Sequence, residues 1–289
     1  MIYLLLSVLS STFIFIVFRL FKRFKVDTLQ AIIINYFIAC LVGVLGGYFN
    51  INDISKIPSE DWFLGVLILG VLFIVVFNLA AITTQRGGMS VVAIATKMSV
   101  AIPVVFGIIY YHESTGIFKI IGVVLALIAV YLASIKSKSE VFKWNDLLFP
   151  TLVFLGSGII DTTIKYLEYE FVGKDDVGLF SASIFASAAL IGTFIIIVLA
   201  ILGKLKFEFR NILGGIVLGV PNFYSIYFLI LALRSDGMES SSIFTINNVA
   251  IVVLSTVLGI MLFKEKLSRK NQVGLLLALI GIFLVAKSI

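Results

Sequence analysis

Lys97 is the residue whose type and position most strongly suggest chemistry, because it lies inside an apolar segment that runs from residue 89 to 111. A lysine within a membrane costs about 2.5–3.5 kcal/mol on insertion scales, so we expect it to face the protein interior and to meet a partner or an anionic ligand. Pro103, further along the same segment, is expected to kink the helix beside it. The alternative is that the long side chain reaches the membrane surface, where its charge is hydrated.

Four asparagines inside other apolar segments are candidates to bind the same ligand. Asn248 is the equivalent of Thr96, the neighbour of Lys97, when the chain is compared with itself at an offset of 152 residues. Amides also hydrogen-bond between membrane helices, each bond worth about 0.6–2 kcal/mol, and this structural interpretation stays open for each of them. The four residues are Asn78, Asn222, Asn247 and Asn248.

Asp161 and Lys165 form a further charged pair, one helical turn apart in another apolar segment. On a helix this spacing puts both side chains on one face, with the acid in the favourable N-terminal position. Two interpretations are open for this pair. Asp161 is either a carboxylate that takes up and releases a proton within the membrane, or the group that neutralises Lys165 so that the helix can insert.

The segments that must position these residues are membrane helices. Charged residues make up 13% of the chain and hydrophobic residues 61%, whereas about 25% of a soluble domain is charged. Ten apolar segments approach the roughly 20 residues that cross a bilayer, and none alternates like a strand. The sequence therefore predicts an all-α polytopic membrane protein with ten transmembrane helices. The segments are residues 1–18, 28–49, 62–84, 89–111, 116–135, 147–166, 177–202, 212–233, 240–263 and 271–288.

The loops between these segments alternate in charge. Those after the odd-numbered segments carry fifteen Lys and Arg residues, and those after the even-numbered segments carry four when Lys119, near the start of the fifth segment, is counted. Short loops rich in Lys and Arg face the cytoplasm in most membrane proteins. The charge pattern therefore predicts that the odd-numbered loops are cytoplasmic and that both chain termini lie outside.

The chain contains an internal repeat. Three pairs of residues align at the 152-residue offset without a gap, namely Glu113 with Glu265, Gly122 with Gly274, and Ala126 with Ala278. We therefore divide the chain into two repeats, residues 1–135 and residues 144–289, of five segments each. Because five is odd, the second repeat must cross the membrane in the opposite direction, and the loop charges support this inversion.

This duplicated pattern resembles the EamA-like carriers of the drug/metabolite transporter (DMT) superfamily. The resemblance rests on the two five-helix halves and on the glutamate and glycine-rich helix in each half, and it covers essentially the whole chain. It implies export or exchange of small metabolites by alternating access around a central cavity, lined largely by segments 3, 4, 8 and 9. Members are often drawn with both termini in the cytoplasm, whereas the loop charges here place them outside.

Glu113 and Glu265 are interpreted as structural loop residues and not as gates. Each lies just before the next helix, where a carboxylate can accept hydrogen bonds from free N–H groups and offset the helix dipole. The sequence indicates no cofactor and no metal site, because His112 is its only histidine and the motif of a zinc protease needs two.

The residues favour a secondary transporter, an exporter or exchanger of a small metabolite that is anionic or zwitterionic, such as an amino acid. Lys97 and the four asparagines would bind this substrate, and Asp161 with Lys165 would couple transport to an ion. The alternatives are a lipid-carrier flippase, a multidrug exporter and an intramembrane enzyme. We expect the chain in the plasma (inner) membrane as a monomer or homodimer. Its expected partners are a small-molecule substrate and the lipid bilayer, and no nucleic acid.

Overall fold

Helices make up the secondary structure of the part of the chain that the structure describes. The computed structural model describes residues 2–46, 51–110, 116–134, 144–173, 176–205, 208–233 and 240–287. Every element in these ranges is a helix, which confirms the all-α class. The helices are α1 (Ile2–Arg23), α2 (Thr28–Leu45), a 3₁₀ segment (Ile51–Ser59), α3 (Phe63–Gly87), α4 (Met89–Met98), α5 (Ala101–Tyr110), α6 (Ile117–Ser134), α7 (Trp144–Phe171), α8 (Val177–Ile201), α9 (Phe209–Leu233), α10 (Ser240–Phe263) and α11 (Arg269–Lys287).

The length and composition of these helices are those of a multi-pass membrane protein. Within the described ranges, eight stretches are long and apolar enough to cross a bilayer, and one of them, Met89–Tyr110, contains both α4 and α5. Helix α6 contains a shorter apolar stretch, Ile120–Ala133. The eight stretches fall on eight of the ten predicted segments, and the total of ten spans stays a prediction.

The span that carries Lys97 is broken at Ser99 and Val100. Helix α4 ends at Met98 and α5 begins at Ala101, so the expected kink at Pro103 is a break one turn earlier. Proline has no N–H to bond the carbonyl four residues back, and its ring crowds that carbonyl. The carbonyl four residues before Pro103 is that of Ser99, and it accepts a hydrogen bond from the N–H of Ile102 at 2.9 Å.

The chain forms two compact units, each assembled from separate stretches of sequence. Unit 1 comprises residues 1–19, 79–161 and 224–289, and unit 2 comprises residues 20–78 and 162–223. This division reflects which residues contact each other, whereas the division into residues 1–135 and 144–289 reflects sequence equivalence. The two-repeat organisation stays a prediction.

In unit 1, the glycine-rich helices α6 and α11 pack closely in opposite directions. A Cβ atom on Gly274 would lie 2.9 Å from the backbone nitrogen of Ala133, and one on Gly281 would lie 3.3 Å from the carbonyl oxygen of Gly122. Residues later in α11 therefore contact residues earlier in α6, so the two helices are antiparallel. Small residues allow this approach, and Ala278 at the centre of the contact is fully buried.

Helices α4 and α10 of unit 1 also run in opposite directions. Gly88 precedes α4 and Gly259 lies near the end of α10, and the carboxylate of Glu265 contacts both glycines. The start of α4 thus lies beside the end of α10, and the two helices pack against each other.

In unit 2, α2 is the central helix. It packs on α9 through glycines, since a Cβ atom on Gly219 would lie 2.8 Å from the carbonyl oxygen of Asn35. It also packs on α8, where Tyr36 contacts the ring of Phe185 and Ile33 lies against Gly192. Residues later in α2 contact residues earlier in α8, so these two helices are antiparallel.

Candidate functional site

Two oppositely charged side chains lie near each other at the break between α4 and α5. Lys97 lies in the last turn of α4 and interacts electrostatically with Asp161 of α7. The hydroxyl of Ser99 donates to the carbonyl oxygen of Thr96 and lies 3.3 Å from Oδ2 of Asp161. All four residues belong to unit 1. Asp161 thus supplies an opposite charge near Lys97, and the role of Lys97 in binding a ligand stays a prediction.

Close packing of α7 on the break brings Asp161 to this position. Gly158, one turn before Asp161, has no side chain and leaves room for Ile102 in the first turn of α5. The partial charges of the helix ends match the two side chains. Lys97 lies at the negative C-terminal end of α4, and Asp161 lies beside Ser99, next to the positive N-terminal end of α5.

Both charged residues have surface that other protein atoms do not cover. Asp161 is exposed and Lys97 is half-buried, although each lies inside a stretch long enough to span a membrane. An ionised side chain is costly in contact with lipid, and such residues face the protein interior or a water-filled cavity. We therefore expect the uncovered surface of Asp161 to face water and not lipid.

Asn248 lies at nearly the same depth as Lys97. Glu265 contacts both Gly88 and Gly259, so these two glycines lie at a similar height. Lys97 lies about 14 Å along α4 from Gly88, and Asn248 lies about 17 Å back along α10 from Gly259. Asn248 itself is half-buried. Because the two helices are antiparallel neighbours, the two side chains are within about one helical turn of each other in height.

Two polar atoms near this depth lack a hydrogen-bond partner among the residues that the structure describes. They are Oδ1 of Asn247, whose side chain is 2% exposed, and Oγ1 of Thr96. Buried polar groups are hydrogen-bonded in the large majority of cases, so an orphaned acceptor marks a position where a ligand or water can bind. Asn247 and Thr96 thus place unsatisfied polar atoms near the depth of Lys97.

The other two asparagines belong to unit 2 and bind within it. Asn222 is buried on α9 and its amide donates to Oδ1 of Asn35 on α2 at 3.1 Å. The amide of Asn78 donates to the carbonyl oxygen of Ile74 in its own helix at 2.8 Å. These contacts fit the structural interpretation of the two residues, and a direct role in binding substrate stays a prediction.

Lys165 and Asp161 occupy successive turns of α7, as predicted, and both are exposed. Asp161 also interacts with Lys97 of α4 and with Ser99 in the break between α4 and α5. Neutralisation of Lys165 by Asp161 stays a prediction. The candidate role of Asp161 in ion coupling stays a prediction as well.

Glu265 caps a helix, but the capped helix is not the one expected from sequence. Its Oε1 accepts from the backbone N–H of Met89 at 2.7 Å, and its Oε2 from the hydroxyl of Ser90 at 3.3 Å, at the start of α4. The following helix, α11, is capped by Ser268, which exchanges hydrogen bonds with Asn271.

A left-handed backbone at Lys264, with φ of 53°, turns the chain so that Glu265 reaches back to α4. The equivalent residue, Glu113, lies outside the described residues. Glu265 thus ties the loop after α10 to the beginning of the helix that carries Lys97.

The slot that holds the Glu265 carboxylate requires a glycine at position 88. Gly88 has φ of 100° and ψ of 171°, a region that only glycine adopts readily. A Cβ atom there would also lie 2.7 Å from Cδ of Glu265. Gly88→Ala should therefore lower the free energy of unfolding by roughly 2–4 kcal/mol, measured as a fall in the thermal unfolding midpoint.

Gly203→Ala is the matched control for this prediction. Gly203 also has positive φ, 65°, but no atom lies within 4 Å of its Cβ position. Its replacement should cost only about 1–2 kcal/mol for the left-handed backbone. Equal losses in the two variants would contradict the crowding of Glu265 at Gly88.

Sequence reasoning missed Ser99 and the partnership between Lys97 and Asp161. Pro103 was the available signal for Ser99, because the carbonyl released by a proline lies four residues earlier. No comparable local signal links Lys97 to Asp161, which are far apart in the sequence and meet only through the packing of α7 on α5.

Comparison with known proteins agrees with this architecture. An uncharacterized protein of Haemophilus influenzae is 28% identical over 289 residues, which cover 97% of this chain and 96% of that protein. A crystal structure with 14% sequence identity has the same fold, with a TM-score of 0.55 and coverage of 96% of this chain and 97% of the other. Residues 1–135 match the EamA-like transporter family. That match confirms the resemblance for residues 1–135, which are similar to EamA-like membrane transporters, and it is consistent with the DMT superfamily.

Proposed function

We propose that this chain is a secondary transporter that exports or exchanges a small zwitterionic metabolite, such as an amino acid, by alternating access. The observation that carries the proposal is the meeting of Lys97, Asp161 and Ser99 at the break between α4 and α5. Substrate sites of transporters commonly lie where a membrane helix is interrupted, because helix ends there offer charge and free backbone groups.

The charges of the site favour a zwitterion over a simple anion. A substrate carboxylate would pair with Lys97, and a substrate ammonium group would pair with Asp161, which is exposed. Asn248, Asn247 and Thr96 supply neutral donors and acceptors near the same depth. A charge-assisted hydrogen bond contributes about 1.5–3 kcal/mol, so one at each end of the substrate would give selectivity.

Ten spans in two inverted repeats are part of the proposal. Three pairs of helices that occupy the same position in the two repeats are in contact within the units. They are α2 with α8 (segments 2 and 7), α4 with α10 (segments 4 and 9), and α6 with α11 (segments 5 and 10). In each pair the contacts run antiparallel. An inverted repeat makes equivalent helices cross the membrane in opposite directions, so these pairings support it.

The proposed setting is the plasma (inner) membrane, with both termini outside and a monomer or homodimer as the assembly. The loop charges support the orientation, since the loops after the odd-numbered segments carry most of the Lys and Arg residues. A reporter fused after Ile289 should behave as periplasmic, and strong cytoplasmic reporter activity there would contradict this orientation.

Thermal shift measurements with matched ligands test the substrate class. The parent amino acids should raise the unfolding midpoint of the purified chain. Their N-acetyl derivatives, which lack the cation, and their methyl esters, which lack the anion, should not. A ligand at 100 times its dissociation constant stabilises the folded state by about 2.7 kcal/mol, which is a shift of several degrees.

Other outcomes of the same screen identify the alternatives. Stabilisation by hydrophobic organic cations, with none by amino acids, would support a multidrug exporter. Stabilisation by polyprenyl lipids alone would support a flippase. Either result would contradict the proposed substrate class.

A further inference from the structure

A cavity of about 290 Å³ lies in unit 1 beside the start of α4 and the end of α10. Its lining carries four cationic side chains, Arg19, Arg86, Lys264 and Lys266, against one carboxylate, Glu265. The volume is near the lower limit of cavities that bind small molecules. This excess of positive charge in a confined space is a feature that the transport site does not explain.

Part of this charge is already engaged by the protein. The Nη1 group of Arg19 donates to the carbonyl oxygens of Thr84 and Gln85 at 2.9 and 3.0 Å, so it stabilises the end of α3. Glu265 is engaged in capping α4. Arg19 and Glu265 therefore shape the cavity, and the remaining cations are the ones available to a ligand.

Three other cations line the cavity. Lys264 and Lys266 flank Glu265 and are exposed, and neither forms an ion pair within the described part of the chain. The guanidinium carbon of Arg86 lies 4.7 Å from the ring centre of Phe149. This cation–π contact holds Arg86 at the cavity wall.

A buried hydroxyl supplies an independent sign of a ligand. Thr256 lines the cavity, its side chain is only 4% exposed, and its Oγ1 has no hydrogen-bond partner among the described residues. The cavity wall also contains the polar side chains of Ser90 and Asn271. A buried hydroxyl without a partner is rare in folded proteins, and a ligand oxygen would satisfy it.

We propose that this cavity binds a phosphate group, with Lys264, Lys266 and Arg86 as its cationic ligands and Thr256 as a hydrogen-bond donor. Phosphate carries more than one negative charge at neutral pH and presents three or more strong acceptor oxygens, which suits three cations and a hydroxyl. A monovalent carboxylate would leave most of the positive charge uncompensated. The site goes beyond the proposed function, because phosphate can bind there whether or not the chain transports a zwitterion.

Inorganic phosphate is the probe for the test. The full chain, purified in neutral detergent, should show an unfolding midpoint that rises with phosphate but not with sodium chloride at equal ionic strength. The double variant Lys264→Met/Lys266→Met should bind phosphate at least tenfold more weakly. The matched control is Arg269→Met/Lys270→Met, which removes the same charge from the next two basic positions of the chain, neither of which lines the cavity.

A second variant tests the site without removing charge. Thr256→Val keeps the side-chain volume and removes the hydroxyl, so it should weaken phosphate binding about three- to tenfold while the protein stays folded. The proposal is overturned if phosphate does not stabilise the wild-type chain. It is equally overturned if the two charge-removing double variants lose affinity to the same extent.

The phosphate group can belong to a soluble compound or to a lipid headgroup, and two membrane compositions distinguish them. In nanodiscs of phosphatidylcholine, inorganic phosphate should stabilise the chain. In discs that contain phosphatidylglycerol, a lipid headgroup that occupies the cavity would abolish the further effect of phosphate. Retention of the phosphate effect in those discs would identify a soluble ligand, and both outcomes require the cavity to be a phosphate site.

Discussion

Lys97→Met should lower the initial rate of substrate uptake into proteoliposomes roughly a hundredfold or more, while the chain still inserts and folds. Lys97 lies at the end of α4 beside Asp161 and Ser99, and methionine keeps most of its volume without its charge. A hydrogen bond to a charged group is worth up to about 3 kcal/mol, which corresponds to about two factors of ten in affinity or rate.

Lys287→Met is the control for this loss. Lys287 lies in the last turn of α11, is exposed and interacts with the ring of Phe118, so its charge is also removed from a membrane helix but away from the candidate site. Uptake by this variant should remain near the wild-type rate. Normal uptake by the Lys97 variant would contradict the site assignment and favour the interpretation that Lys97 reaches the membrane surface.

The second large effect concerns the stability of the charged pair. Lys97→Met and Asp161→Asn should each lower the unfolding midpoint in one detergent, because each leaves the opposite charge unbalanced within an apolar span. The double variant should be more stable than the sum of the two losses predicts. Residues in contact typically show coupling of about 0.5–3 kcal/mol in such a cycle.

Lys165→Met supplies the matched comparison for that cycle. Lys165 is one turn from Asp161 on α7 and is exposed. If Lys97 is the main partner of Asp161, the coupling of Asp161 to Lys97 should exceed its coupling to Lys165. Additive losses for Lys97 and Asp161 would contradict the partnership and leave Lys165 as the residue that Asp161 neutralises.

The fold class could be predicted from sequence because a bilayer imposes it. A span needs about 20 apolar residues with internally paired backbone groups. Stretches of this length can be recognised in the sequence without any knowledge of tertiary contacts. The packing of α6 on α11 was also accessible, since glycines and alanines at equivalent positions mark helices that approach closely. The break at Ser99 lies one turn before the expected kink at Pro103, because a proline cannot bond the carbonyl four residues earlier.

The partners of the charged residues could not be predicted, because they depend on which helix faces are adjacent. Lys97 was identified by its cost within an apolar segment, yet its partner Asp161 was assigned to Lys165, the neighbour visible at helical spacing. Glu265 was placed on the helix that follows it in sequence, whereas the left-handed turn at Lys264 directs it to α4. Apolar membrane helices give little periodicity to indicate which face is buried, so such contacts emerge only from the structure.

The most direct test of the central claim is the restoration of transport by a positive charge at position 97. Cys40 is the only cysteine of the chain, so Lys97→Cys in a Cys40→Ala background presents one thiol. Uptake by this variant should be lost and should return when the thiol is modified with an aminoethyl thiosulfonate, which rebuilds a lysine-like cation. The neutral methyl thiosulfonate should not restore it. A thiol that does not react from water on either side of the membrane, or equal recovery with the neutral reagent, would contradict a substrate site at Lys97.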